Sequence, residues 1–241
     1  MKNKNHLKIL LTGLVLAIGF HVKAHSIETK SDKKVKSEFD ITRTKITTEG
    51  NIATFEIEVS GKAGADKPKK IGKFAGARVF SYVWPTSIDP AEVGFEGKSG
   101  ILALAVTIHP DFNDTPLFEN DGSKWHTHWV VLTPDEACGP KGMKVKDIAE
   151  GAKPKLPKTW PGVPLFIDSP GYPPRFSGKT VKVKVPFDNI AAIESSKFDG
   201  VTSGLRVNES VHAPLLCIEN IFKVASGDLS LPGQISKEAA K

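Results

Sequence analysis

Two histidines separated by a single residue are the groups in this chain best placed to do chemistry. They are His126 and His128, in the segment Trp125-His126-Thr127-His128-Trp129. Residues two apart in a β-strand project from the same face, so the two imidazoles would lie roughly 7 Å apart on one side. Both ring nitrogens could then reach one ion at about 2 Å, and the spacing therefore predicts a metal-chelating pair.

A third histidine ends the most apolar run of the chain, from Ile101 to His109. On a strand, His109 shares its face with small residues such as Ala105, and bulkier side chains occupy the other face. If this run pairs antiparallel with residues 125–132, its end meets the beginning of the second strand, near His126. We therefore expect three imidazoles to converge at one end of a hairpin.

His212 is a fourth candidate ligand. On a strand it would share a polar face with Arg206, Asn208 and Ser210. It could complete the metal site, or it could orient a ligand imidazole through that ligand's other nitrogen. The alternative is a structural histidine beside Cys217, and the sequence leaves both interpretations open.

His25 follows the point at which an export signal would be removed, so it would begin the mature protein. A terminal amine and a ring nitrogen, joined by a second histidine, form a three-nitrogen clamp that suits Cu(II). This resembles the histidine brace of exported copper proteins, including oxidative polysaccharide-cleaving enzymes and copper carriers, and the resemblance covers this one residue. The alternative is that His25 merely follows the cleavage point.

Aromatic residues near the histidines offer a second kind of site. Trp125, Trp129, Tyr82 and Trp84 could form a platform on which a carbohydrate or another small ligand stacks. This hypothesis competes with the metal site, and a third interpretation is that the histidines serve packing only.

The residues between the two histidine-bearing runs are rich in oxygen ligands. Asp111, Asn113, Asp114 and Asp121 could supply oxygens to Ca²⁺, although their spacing does not match an EF-hand loop. A solvated acidic turn is the alternative.

Motifs for nucleophilic catalysis are missing from the sequence, which has no G-x-S-x-G and no Gly-rich phosphate loop before a helix. A zinc- or copper-dependent enzyme would need an open coordination position beside the histidines, and a sequence does not show one. Catalytic residues are therefore unassigned, and the sequence leaves open whether the chain is an enzyme.

Residues 1–24 have the three parts of a secretory signal peptide: a lysine-bearing start, the apolar run Ile9 to Phe20, and small-residue cleavage chemistry at Val22-Lys23-Ala24. The apolar run is shorter than the roughly 20 residues that cross a bilayer, so we expect no stable membrane insertion after cleavage. The pattern predicts bacterial export to the periplasm or the medium. Nothing in it fixes the oligomeric state.

The charge balance argues against a nucleic-acid partner. The 241-residue chain has 33 Lys and Arg against 27 Asp and Glu, a formal charge of +6. Four of the lysines lie in residues 1–24, so the expected mature chain carries only +2. Binding to nucleic acid needs concentrated positive charge, so a metal ion or a small molecule is the expected partner.

The chain contains two cysteines, Cys138 and Cys217. In an oxidising compartment the two are expected to form one disulfide bond. The alternatives make Cys217 a metal ligand beside His212, or Cys138 a soft ligand with Met143.

Short alternating runs separated by turn residues predict an all-β fold. Residues 51–60, 78–84, 101–109, 125–132, 180–187 and 201–207 have strand character, and the proline-rich stretch 133–164 excludes a long helix there. The expected architecture is an antiparallel β-sandwich, jelly-roll-like, with long Pro/Gly-rich loops and at most short helices, such as residues 190–195. The expected organisation is a signal peptide (1–24), a polar N-terminal arm (25–45), a single sandwich domain (46–232) and a polar C-terminal tail (233–241).

The leading hypothesis is therefore an exported protein that holds a Cu or Zn ion through a histidine cluster on a β-hairpin. The competing hypotheses are an exported carbohydrate or small-ligand binding module and a metal-dependent enzyme.

Overall fold

The structure is a computed structural model that describes residues 25–68, 76, 78–109, 124–208 and 215–237. Within these residues almost all regular structure is β. The strands are β1 (Ser26–Glu28), β2 (Ile41–Glu49), β3 (Ile52–Val59), β4 (Arg78–Pro85), β5 (Ile101–Ile108), β6 (His126–Pro134), β7 (Met143–Val145), β8 (Ile167–Asp168), β9 (Arg175–Ser177), β10 (Thr180–Pro186), β11 (Lys197–Phe198), β12 (Val201–Val207), β13 (Leu216–Val224), β14 (Gly233–Gln234) and β15 (Ser236–Lys237). One α-helix, α1 (Ile190–Glu194), and 3₁₀ turns at Pro90–Val93 and Glu136–Cys138 complete the described elements.

Six of the strands close into an antiparallel barrel, in the order β5-β4-β12-β13-β7-β6, with β6 pairing back to β5. The hairpin of β5 and β6 runs in register from Ile101 opposite Leu132 to Thr107 opposite His126. The all-β prediction is therefore confirmed, but the jelly-roll sandwich is corrected to a closed barrel. The difference arises because β5 and β6 are buried on both faces, whereas a strand of a sandwich has one face toward solvent.

A second sheet, β1-β2-β3-β10-β9, packs against the outside of this barrel, and β15 joins its strand β2 in parallel. The contact is built from aromatic rings. Phe55 on β3 lies edge-on to both Trp84 and Trp129, with ring centroids 5.8 Å apart in each case. All three rings are at most 1% exposed, so this interface is the main hydrophobic core.

The inside of the barrel, which we call the lumen, has its own smaller core. Its walls are alternate residues of the barrel strands, among them Val79, Val83, Ala103, Ala105, Val130, Leu132, Val145, Val201 and Val207. These positions have the opposite parity to the residues that face the second sheet. The two-residue period of β-strands thus sends one set of side chains to each core.

The disulfide expected from the sequence is present and joins Cys138 to Cys217. It ties the Glu136–Cys138 turn to β13, next to the place where β7 meets β13 through the single pair Cys217 and Lys144. The covalent bond therefore reinforces the shortest pairing of the barrel.

The regions predicted to be polar extensions contribute strands in part. β1 and the beginning of β2 lie within residues 25–45, and β14 and β15 lie within residues 233–241. Their backbones gain partners from β2, β3 and β11, which a local pattern does not reveal. None of the helices among the described residues combines the length and the apolar character needed to span a membrane.

Candidate metal centre

The hairpin positions three imidazoles at one end of the barrel. His126 and His128 lie on β6, and His109 follows the last residue of β5. Because Thr107 is paired with His126, the antiparallel register places His109 just past the start of β6, where it is the diagonal neighbour of His126 on the same face. All three residues have the strand parity of the lumen walls, and we refer to them as the histidine cluster.

The ring nitrogens of the cluster point at one another. His109 Nε2 lies 2.8 Å from His126 Nε2 and 3.4 Å from His128 Nε2. The rings of His109 and His128 are near-parallel, and the ring of His126 stands almost perpendicular to both. Each residue offers one ligand atom, and these three atoms all lie within 4.8 Å of one another. This arrangement could hold a metal ion.

These separations match those of nitrogens bound to one ion. Two nitrogens about 2.0–2.1 Å from a metal are about 2.9 Å apart at a right angle and about 3.3 Å apart at a tetrahedral angle. The two observed Nε2 separations, 2.8 and 3.4 Å, fall at these values. The cluster could therefore take up an ion without rearranging its strands.

Neighbouring oxygen atoms fix the tautomers of two of the rings. His126 Nδ1 lies 3.0 Å from the carbonyl oxygen of Lys124, and His128 Nδ1 lies 3.2 Å from both the Asp168 carbonyl oxygen and Ser169 Oγ. A carbonyl only accepts hydrogen bonds, so Nδ1 carries the proton in the neutral ring and Nε2 carries a lone pair. This is the arrangement in which outer hydrogen bonds prepare a histidine to bind a metal.

Burial favours the same uncharged state. His109 and His128 are 3% and 1% exposed, and His126 is half-buried at the edge of the cluster. Burial lowers the pKa of His128 well below its usual value of 6.5, and the neighbouring His126 and His109 lower it further. The ring is thus neutral and able to bind a metal at neutral pH.

The aromatic platform is not formed by the residues proposed for it. Tyr82 and Trp84 are fully buried and Trp129 is 1% exposed, because all three rings fill the core between the barrel and the second sheet. Trp125 is half-buried, and its Nε1 donates a hydrogen bond to the Gly64 carbonyl oxygen. A ring inside a packed core offers no face on which a sugar could stack, so the role predicted for Tyr82, Trp84 and Trp129 is corrected from ligand platform to core packing.

The remaining candidate ligands divide into two groups. His25 is exposed, lies directly before β1 on the second sheet, and is not part of the cluster. His212 and the proposed calcium ligands Asp111, Asn113, Asp114 and Asp121 lie outside the described residues.

Three contributors to the site have no signal in the sequence. The Asp168 carbonyl and Ser169 reach His128 from 40 and 41 residues along the chain, at the end of β8. Thr107 lies on the same face of β5 as His109, and nothing in the residues around it marks it as part of a site. A pairing between β8 and β6 is a long-range contact, and no local pattern near residue 168 points to it.

Comparisons with known proteins give no family for this chain, because no protein-family model, no curated protein and no solved structure matches it. Its function is therefore inferred from the geometry of the site.

Proposed function

We propose that this protein is an exported metal-binding protein that holds one Cu or Zn ion through His109, His126 and His128. The observation that supports it best is the convergence of three Nε2 atoms while two of the Nδ1 atoms face oxygen acceptors. In neutral rings with these tautomers, His126 and His128 both present lone pairs toward His109. One cation would be shared by all three Nε2 atoms.

The donor set favours Cu and Zn among the biological metals. Neutral imidazole suits both ions, whereas Ca²⁺ and Mg²⁺ prefer oxygen ligands. Three protein nitrogens also leave at least one coordination position for a further ligand. His212 remains a proposed fourth ligand, and an external molecule is the other way to complete the coordination.

Export is part of the same proposal. Residues 1–24 have the composition of a signal peptide, and the Cys138–Cys217 disulfide is consistent with an oxidising compartment. Fractionating the bacterial cells that produce the full chain and sequencing the N-terminus of the recovered protein tests this. We expect the protein outside the cytoplasm with His25 as its first residue.

The test of metal binding is elemental analysis of protein purified without a chelator. We expect close to one equivalent of Cu or Zn in the wild type and almost none in the double variant H126A/H128A. H25A is the matched control, since His25 is exposed and lies outside the cluster. H212A measures the contribution of the fourth candidate. Equal metal content in wild type and H126A/H128A would remove the proposal.

A metal-dependent enzyme is the second candidate function. What favours it is that two of the cluster histidines, His109 and His128, also line an internal cavity, so an incoming molecule would have space next to the ion. A search for turnover is justified only after the wild type has been shown to hold a metal.

A further inference from the structure

The barrel lumen contains a cavity that begins at the histidine cluster. His109 and His128 line one part of it, and the cavity volume is about 50 Å³. The rest of the wall is mostly apolar and comes from all six barrel strands, together with one residue of β8. It includes Val79, Val83, Ala105, Val130, Leu132, Val145, Ile167, Leu205 and Leu216. The metal site therefore borders a small apolar chamber on the inner side of the barrel.

Polar groups in this chamber are few, and one of them has no partner. Ser81 and Ser203 satisfy each other, with their Oγ atoms 2.8 Å apart. Thr107 also lines the cavity and is only 6% exposed, yet its Oγ1 has no hydrogen-bond partner among the described residues. Leaving a buried hydroxyl unpaired is costly, so its presence beside the cluster points to a ligand that would pair with it.

We propose that the metal held by the histidine cluster keeps one coordination position directed into the lumen, where it binds an uncharged molecule of two or three atoms. Thr107 Oγ1 would hydrogen-bond this molecule. The inference rests on the proposed function, because it requires the bound ion. It adds the class of ligand and the direction from which the ion receives it.

The size and polarity of the chamber set the class of ligand. A single water needs about 10–15 Å³ of such volume, so a cavity of about 50 Å³ takes a diatomic or triatomic molecule and excludes sugars, nucleotides and peptides. An anion would lose its hydration shell on entering the chamber, and no Lys or Arg side chain in the described part of the chain lines the chamber to compensate for that loss. A neutral molecule such as a dissolved gas pays little to enter apolar walls.

Carbon monoxide is the probe we would use, on protein loaded with copper and reduced to Cu(I) with ascorbate. Cu(II) binds nitrogen sites at least as tightly as Zn(II), so the protein can be loaded with Cu(II) before the reduction, whichever of the two metals it holds. Infrared spectroscopy reports both the binding of CO and, through its stretching frequency, the hydrogen bonding around it. Metal content is measured on every sample.

Two variants test the lumen. A105L adds bulk to the cavity wall opposite His128, and we expect CO affinity to fall roughly tenfold or more while copper content is retained. A103L is the matched control, on the same strand face but outside the cavity lining. T107V keeps the shape of the side chain without its hydroxyl, and we expect it to shift the CO stretching frequency. T127V is the control for that shift, because Thr127 lies on the opposite face of the hairpin, where its hydroxyl donates to the Tyr172 carbonyl oxygen.

The outcomes separate the two proposals. A wild type that takes up neither copper nor zinc overturns the proposed function. A wild type with copper but without CO binding overturns the lumen site alone. The lumen site is also overturned if A105L does not weaken CO binding and T107V does not move the CO stretching frequency. That result would show that CO binds outside the lumen. If A105L fails to fold, T107V still decides the question.

Discussion

His109 Nε2 and His126 Nε2 lie 2.8 Å apart, although 17 residues of chain separate them. The contact joins the end of β5 to the beginning of β6, at the end of the hairpin where the chain leaves one strand and enters the other. The backbone pairing of these strands already brings the two residues together, so the site costs little additional ordering on binding. A preorganised cluster of this kind is suited to holding an ion tightly.

The stability of the metal-free protein should depend on the pKa of His128. Burial holds this pKa well below 6.5 in the folded state, while in the unfolded chain it returns to its usual value. The unfolded chain therefore binds more protons below pH 6.5, and the free energy of unfolding should fall there by up to about 1.4 kcal/mol per pH unit. Urea unfolding of the chelator-treated protein between pH 5.5 and 7.5 measures this slope.

H128Q is the control for that measurement, because glutamine does not titrate. We expect a smaller slope below pH 6.5 in H128Q than in the wild type. The same slope in both proteins would show that another group is responsible.

Ser169 should tune metal affinity without touching the ion. Its Oγ lies 3.2 Å from His128 Nδ1, beside the Asp168 carbonyl oxygen at the same distance. Loss of an outer hydrogen-bonding partner of a metal-binding histidine typically reduces affinity about 10- to 100-fold. Because the carbonyl remains, we expect S169A to lose roughly tenfold or less, measured by competition with a chromophoric chelator.

S177A is the matched control, since Ser177 is exposed on β9. A loss in S177A equal to that in S169A would mean that the effect is not transmitted through His128.

The ion pair of Asp40 and Lys223 should make the protein sensitive to acid. Burial opposes the charge on Asp40, but hydrogen bonds from Lys223, Ser31 and the Asp32 amide outweigh it and bring the pKa of Asp40 to about 2. Since the folded-state pKa is depressed, the stabilisation is present above the unfolded value near 3.9 and is lost as pH falls toward 2. We expect roughly 1–2 kcal/mol to disappear over this range.

Urea unfolding of the wild type and D40N at pH 2.5 and pH 5 measures how much stability is lost when Asp40 is protonated. D40N should reduce the difference in the free energy of unfolding between pH 2.5 and pH 5. E49Q changes an exposed carboxylate and should leave that difference unchanged. A wild type equally stable at both pH values would contradict the prediction.

The disulfide should contribute more to stability than any single hydrogen bond of the barrel. Cys138 and Cys217 are 79 residues apart in the chain, and removal of a native disulfide from a small exported domain costs about 2–5 kcal/mol. We expect the double variant C138S/C217S to lose stability in that range in urea unfolding. Reduction of the wild type with dithiothreitol should reproduce the loss, and a change below about 0.5 kcal/mol in both experiments would contradict it.

Much of the site follows from local pattern. The HxH spacing on β6 and the parity of His109 on β5 are set by the two-residue period of a strand, so the shared face of the three histidines could be read from the sequence. The hairpin pairing was also predictable, because β5 and β6 are consecutive runs of strand-forming residues.

The sequence by itself determined the all-β character and the shared face of the histidines, and it favoured the pairing of the two cysteines, since each depends on residue type, count or spacing. Only the tertiary structure decided that the strands close into a barrel through the pairings of β4 with β12 and of β7 with β13. It alone also decided that Tyr82, Trp84 and Trp129 are core residues, and that Ser169 and Asp168 support His128. These features depend on contacts between residues far apart in the chain. Local periodicity predicts that a side chain is buried. It does not predict whether that side chain packs in the lumen or between the barrel and the second sheet.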